Sequence, residues 1–153
     1  MEVRDIVEML KIAEKTVATA ESCTGGLVAK RLTDICGASE VFKYGVVTYS
    51  DEAKMKLLNV KEETLRQHTA VSKETAAEMA HGILELSGAD IGVATTGYAS
   101  GAHAGKIFVA VENKNGYRFV RLLDCDGGRE AQRDATAVVA MEMILMGLLK
   151  EGI

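Results

Sequence analysis

Proline is missing from all 153 residues, where average usage of about 5% would supply roughly eight. A proline-rich linker is therefore excluded, and no low-complexity tract or internal repeat divides the chain, which reads as one domain over 1–153. Cysteine is scarce too: Cys23, Cys36 and Cys125 are an odd, scattered set without a C-x-x-C pair. That excludes a disulfide framework and offers no zinc-ligand spacing, so reduced thiols, a cytoplasmic setting and no metal are expected. No apolar run approaches the roughly 20 residues needed to span a bilayer. The opening MEVRDIVEMLKIAEK mixes acids and bases along an apolar stripe, without the basic-then-apolar layout of a secretory signal. Basic side chains are outnumbered, 18 against 22 acidic ones, for a net charge of -4. General phosphate-backbone binders carry the opposite balance, so nucleic acid is not an expected partner; a local basic pocket for one small anion is compatible with it.

What is present suits a packed domain: 48% hydrophobic and 26% charged residues, enough for a sizeable core. Val3, Ile6, Val7, Leu10 and Ile12 fall mostly on one helical face within 2–15. TVATA (16–20) is short, β-rich and apolar, as a buried strand should be. A helical stretch follows to Gly37, and then VFKYGVVTY (41–49) reads as a second strand. Ser50-Asp51-Glu52 resembles a helix start, with Ala53, Leu57 and Leu58 expected on its buried face. Short and long helices follow from Lys61 and Ser72, then an apolar strand from Asp90 to Thr96. A glycine-spaced loop spans 96–105, and the strand-like runs 106–112 and 117–124 flank an Asn-Gly hairpin signal. From Gly127-Gly128 the chain reads as helical to its end. The Met141, Met143, Ile144, Met146 cluster there offers a core face or an interface between copies, with half or more assigned to core. The order α-β-α-β-α-α-α-β-β-β-α predicts an α/β fold with helices on both faces of a mixed sheet.

The chemistry concentrates at Ala20-Glu21-Ser22-Cys23-Thr24-Gly25-Gly26, where a buried strand meets a helix. Ligands of α/β sheets bind beyond the carboxyl ends of strands, and a helix N-terminus there offers free N–H groups. Gly25 and Gly26 let a ligand approach the backbone closely. Ser22 and Thr24 read either as nucleophile and ligand donor or simply as a helix cap. A serine nucleophile needs a base. His68, His81 and His103 show no spacing that points at Ser22, although His103 lies in the glycine loop. Lys54, early in the helix after strand 41–49, is the other candidate, because burial and a helix N-terminus both lower an amine's proton affinity. Cys23 is the rival nucleophile, unless it points into the core. Arg129 and Arg133, four apart on one helical face, form either a phosphate clamp or ion pairs with Glu130, Asp134 or Asp126.

Three segments together, AESCTGGLVAKRLTDICGAS, FKYGVVTYSDEAKMKLLNV and LRQHTAVSKETAAEMAHG, closely resemble the CinA C-terminal domain family over about residues 5–148. Characterised members of that family are nicotinamide-nucleotide (NMN) amidases. The resemblance implies a three-layer α/β/α sandwich with a mixed, mostly parallel sheet. It also implies hydrolysis of the NMN carboxamide without metal or organic cofactor, a pyridine nucleotide as the small-molecule partner, and self-association into a homo-oligomer. Carried over by motif, Ser22 is the nucleophile, Lys54 its base, Tyr49 a proton relay and Arg129 the phosphate ligand.

The sequence departs from the family pattern after strand 90–96. The usual proline-bearing glycine loop and its longer insertion are replaced by Thr95-Thr96-Gly97-Tyr98-Ala99-Ser100-Gly101-Ala102-His103-Ala104-Gly105-Lys106, of which Thr96, Gly97 and Ala99 align. This loop is expected to line the substrate pocket, with Thr96 and Gly97 on it. Gly128 also stands before Arg129 where aspartate is usual. Two function classes follow: an amidase of pyridine nucleotides, favoured by Ser22, Tyr49 and Lys54 together, and a non-catalytic nucleotide-binding or regulatory module, favoured by the altered loop.

Overall fold

The computed structural model describes residues 1–150. It opens with helix α1 (Val3–Ala13), strand β1 (Val17–Glu21), helix α2 (Leu27–Thr33) and a 3-10 turn (Ala38–Glu40). Strand β2 (Phe42–Val47) leads into three helices, α3 (Asp51–Leu58), α4 (Glu62–His68) and α5 (Lys73–Ser87). The chain then runs through β3 (Ile91–Gly97), β4 (Lys106–Asn113) and β5 (Arg118–Asp124) into the long helix α6 (Gly128–Leu149). Apart from the 3-10 turn, this is the order expected from hydrophobic periodicity. The expected continuation of the last helix to the chain end falls on 151–153, outside the described residues.

The sheet order is β2-β1-β3-β4-β5. β1 pairs in parallel with β2 and β3, whereas β4 runs antiparallel to both β3 and β5, so four strands point one way and β4 alone is reversed. Connection length explains the pattern. Parallel neighbours need a long crossover, which α2 and the α3–α5 run provide, while short loops force hairpins at β3-β4 and β4-β5. At the second hairpin the Asn113 side chain accepts from the N–H groups of Asn115 and Tyr117, and Gly116 takes φ 90°.

Alternation along the strands sorts large from small side chains. Val17, Val93 and Val109 face the layer of α1, α2 and α6, packing with Leu10, Val28, Leu32 and Ile144. Ala18, Ala20, Ala94 and Ala110 face α3–α5. The alanine face lets the second layer approach closely, and Gly82 lets α5 touch the backbone of α3 at the Leu58 carbonyl, where a Cβ would collide. Met141, Met143 and Ile144 are buried and Met146 packs against them, so this cluster is core. Among the described residues no helix is long and apolar enough to cross a membrane.

The crossover from β1 to β2 lies on one face of the sheet and that from β2 to β3 on the other. The chain therefore diverges above the carboxyl ends of β1 and β2, the place where open α/β sheets form a crevice. α3 hangs over this point with Leu58 turned inward as expected, but with Lys54 rather than Leu57 beside it. Lys54 and Leu58 are its buried residues, and Leu57, expected inside, is 42% exposed. Apolar periodicity weighs leucine over lysine; here the i, i+4 pair that meets the alanine face happens to include the lysine.

Candidate active site

Successive side chains at the end of β1 turn to opposite layers. The buried carboxylate of Glu21 faces α2, accepting from the N–H groups of Val28 (2.9 Å) and Ala29 (3.0 Å) and from Thr24 Oγ1 (2.6 Å). It is Glu21, rather than Ser22 or Thr24, that caps this helix, whose N-cap position is Gly26. Gly25 and Gly26 adopt φ of 62° and 104°, a left-handed region that side-chain-bearing residues avoid, and so make the turn tight. Thr24 Oγ1 also lies 2.8 Å from Thr95 Oγ1, and the Ser22 N–H donates to the Thr95 carbonyl at 3.0 Å. Both residues of the turn are thereby tied to the neighbouring strand.

With Glu21 committed to α2, Ser22 faces α3. Its Oγ lies 3.1 Å from Lys54 Nζ, which also donates to the Thr48 carbonyl at 2.8 Å. Ser50 caps α3 by accepting from the Ala53 N–H at 3.1 Å, which places Lys54 in the first turn. The lysine is 1% exposed and the serine 7%. Burial pushes the Lys54 pKa below its usual 10.5, with Asp51 pulling the other way. The neutral amine, the form able to accept a proton, is favoured accordingly.

Cys23 points into the core of the α1/α2/α6 layer. Burial pushes its thiol up to about 11, against a smaller opposing pull from the Thr95 hydroxyl. At pH 7 only about one thiol in 10⁴ would be ionised, which silences it as a nucleophile. Alkylation of the native protein at pH 8 is expected to modify exposed Cys36 rapidly and Cys23 only after unfolding. Mass spectrometry of the digested protein checks this, and rapid native labelling of Cys23 would contradict it.

The other expected site residues are distributed around this pair. Tyr49 does not join it: the side chain is 58% exposed, and its hydroxyl accepts from Arg129 Nη1 at 3.3 Å. The chain turns between β2 and α3 such that Ser50, not Tyr49, faces the helix start. Arg133 Nε donates to the Cys23 carbonyl at 3.0 Å, and its guanidinium lies against Gly25, about 3.5 Å from where a Cβ would sit. Neither arginine forms the expected ion pair among the described residues; Asp134 pairs with Arg31 at 2.7 Å. Thr24, Gly25, Gly26, Lys30 and Arg133 line an open groove of about 420 Å³.

Thr96 lies on the Ser22 side of β3, but its hydroxyl donates to the Ala70 carbonyl at 2.7 Å, fastening the α4–α5 connection. Gly97 makes room for Ile107 of β4, which a Cβ would strike. Both therefore have packing roles that their expected place in a substrate pocket did not foresee. None of the histidines approaches the serine. His68 sits 3.5 Å from Glu74, His81 2.7 Å from Glu112, and the His103 ring lies 5.6 Å from that of Tyr98. Glu21 and Thr95 were not singled out from the sequence. A charged residue ending an otherwise apolar strand was the available signal for Glu21; Thr95 becomes visible only through its register opposite Glu21.

Fold and site together define a three-layer α/β protein with a buried serine–lysine pair at the divergence of its parallel strands. The chain belongs to the CinA C-terminal domain family, whose model matches residues 2–148. It is 44% identical over 144 residues to a Clostridium novyi protein named as competence-damage inducible, covering 90% of this chain and 34% of the relative. A CinA-like protein of Chloroherpeton thalassium is 61% identical over 94 residues, 61% of this chain and 22% of the relative. The chain thus spans about a third of the length of such curated relatives. Among solved structures, the competence/damage inducible protein CihA of Agrobacterium tumefaciens superposes with a TM-score of 0.92 at 40% identity, covering 95% of this chain and 92% of that one. The competence damage-inducible protein A of Klebsiella pneumoniae gives 0.91 at 32% identity, with 99% of each chain covered.

Proposed function

We propose that the protein is a serine–lysine amidohydrolase of pyridine nucleotides, converting NMN to nicotinate mononucleotide and ammonia. The observation that supports this most is the isolated contact of Ser22 Oγ with a buried amine whose proton affinity is lowered. A neutral amine has two N–H groups and one lone pair. Donation of one N–H to the Thr48 carbonyl leaves the second N–H and the lone pair to share the direction of the serine hydroxyl, 3.1 Å away, and turning the lone pair toward it makes Nζ the acceptor. Ser22 Oγ attacks the carboxamide carbon as its proton passes to Nζ. Collapse of the tetrahedral intermediate breaks the C–N bond, with Lys54 returning that proton to the departing ammonia. Water then adds to the acyl ester, giving up a proton to Lys54, and as the ester C–O bond breaks Lys54 passes that proton to Ser22 Oγ, restoring the hydroxyl and the neutral amine.

The oxyanion needs donors that are not already engaged. In the turn, the Gly25 N–H is committed to the Ser22 carbonyl and that of Leu27 to Thr24. Among the described hydrogen bonds, the N–H groups of Thr24 and Gly26 have no acceptor, and they are assigned to the oxyanion. One such donor contributes about 3–4 kcal/mol in other hydrolases. Arg129 and Arg133 hold the nucleotide phosphate, and Tyr49, joined to Arg129, positions that guanidinium instead of relaying the serine proton.

Ammonia release from NMN by the wild type, lost by at least about 10⁴-fold in Ser22→Ala, is the expected result. Equal rates in the two proteins would end the proposal. The altered loop at 98–105 favours a second reading, a nucleotide-binding module without turnover. NMN that raises the melting temperature of the wild type yet releases no ammonia would establish that reading instead.

A further inference from the structure

A buried polar atom near the two arginines is not used by the chemistry above. Gln132 lies on α6 between Arg129 and Arg133 and is 5% exposed, and its Oε1 has no hydrogen-bond partner among the described residues. Gln132 lines a cavity of about 10 Å³ with Cys23, Tyr98, Ala99, Arg129 and Arg133. That space admits a group about the size of one water or hydroxyl. A buried acceptor left unpaired is costly, by roughly 1–3 kcal/mol, and its persistence beside a charged cleft points to a ligand that supplies the donor.

We infer that Gln132 is a specificity-determining residue whose side-chain oxygen accepts a hydrogen bond from a ribose hydroxyl of the bound nucleotide. The inference rests on the pyridine-nucleotide reading, and placement of the ligand's parts identifies the donor. A phosphate held by Arg129 and Arg133 offers acceptors only, so it cannot satisfy Oε1. The carboxamide must reach Ser22 Oγ, which faces the α3 layer, whereas Gln132 belongs to α6 on the opposite layer. What remains between amide and phosphate is the sugar, and its donors are hydroxyls. Tyr98 and Ala99 wall the cavity, so the unusual loop contributes to reading the sugar.

Calorimetric titration in the Ser22→Ala background separates binding from turnover. The probes are NMN, its 2′-deoxy and 3′-deoxy analogues, and ribose 5-phosphate. In that background one of the deoxy analogues is expected to bind about tenfold more weakly than NMN. Adding Gln132→Met should weaken NMN by a similar factor and abolish the preference over that analogue. Because the substitution removes an unpaired polar atom, the variant should melt no lower than its parent; Gln132→Leu repeats the test with a different shape. Unchanged NMN affinity with the hydroxyl preference retained would overturn the inference, as would failure of both NMN and ribose 5-phosphate to bind. Ammonia release by the wild type is scored separately, so the amidase reading can stand while the role of Gln132 falls.

Discussion

Lys54→Met is expected to lower the rate of NMN hydrolysis by about 10²–10⁴-fold, the usual worth of a positioned general base. Methionine keeps the unbranched stem, one atom shorter and without the amine, and leaves Ser22 in place, so loss of activity here reports the proton transfer. Lys54→Arg should be equally inactive, because a guanidinium stays protonated throughout the working range. In the wild type, kcat/KM should fall as pH drops through the lowered lysine pKa, since protonation removes the lone pair that faces the serine. A kcat/KM that rises as pH falls, or near-normal turnover in both variants, would exclude lysine as the base.

The same ionisation has a consequence for stability whose sign is opposite to that of a salt-bridged lysine. The folded pKa of Lys54 lies below its ordinary 10.5, so between the two values the unfolded chain binds more protons than the native one. Stability contributed by this residue therefore rises with pH across that window. Below the folded pKa the amine is charged in both states, and the desolvation penalty is felt in full. The melting temperature of the wild type relative to Lys54→Met should accordingly increase as pH rises through the lowered lysine pKa toward 10.5. The comparison is best kept below pH 9, the ordinary value of the Cys23 thiol. A difference that shrinks with rising pH would contradict the lowered pKa.

Glu21→Ala is expected to be the most destabilising single change near the site, by roughly 3–5 kcal/mol in chemical denaturation. The carboxylate is 1% exposed and accepts three hydrogen bonds, two of them from backbone N–H groups at the start of α2. Alanine leaves those donors buried without an acceptor and frees the turn that aims Ser22 at Lys54. Glu21→Gln retains acceptor capacity but loses the charge and forces an N–H₂ among donors, so about half the loss is expected. Activity should decline with stability in this series without a change in the shape of the pH profile, because the base is untouched. Wild-type stability in Glu21→Ala would show that the strand-to-helix turn does not depend on this cap.

How much of this was legible beforehand can be argued from α3. Ser50-Asp51-Glu52 announces a helix start, and the hydroxyl of Ser50 does cap it. The direction in which that helix faces was not legible. Lys54 and Leu57 are competing candidates for burial, and periodicity alone prefers the leucine, which proves to be 42% exposed. Lysine is buried because α5 approaches α3 closely at Gly82 and because the facing strands present alanines. The motif resemblance pointed to Lys54, but no pattern within the chain revealed that it would be buried. Tyr49 shows the converse. The family motif implied a proton relay at Tyr49, yet β2 and its following turn direct it toward Arg129, 80 positions later.

The sequence by itself determined the elements and their order, since hydrophobic period, turn residues and connection lengths act locally or between neighbours. It also determined the presence of a serine, a lysine and two arginines with the right chemistry. Only the tertiary structure decided which of them meet. Ser22 and Lys54 are 32 positions apart and belong to elements joined by strand pairing, so their 3.1 Å approach depends on sheet register and on layer spacing set elsewhere in the chain. Desolvation, which makes that amine a base, is likewise a property of the packed interior and has no local signature.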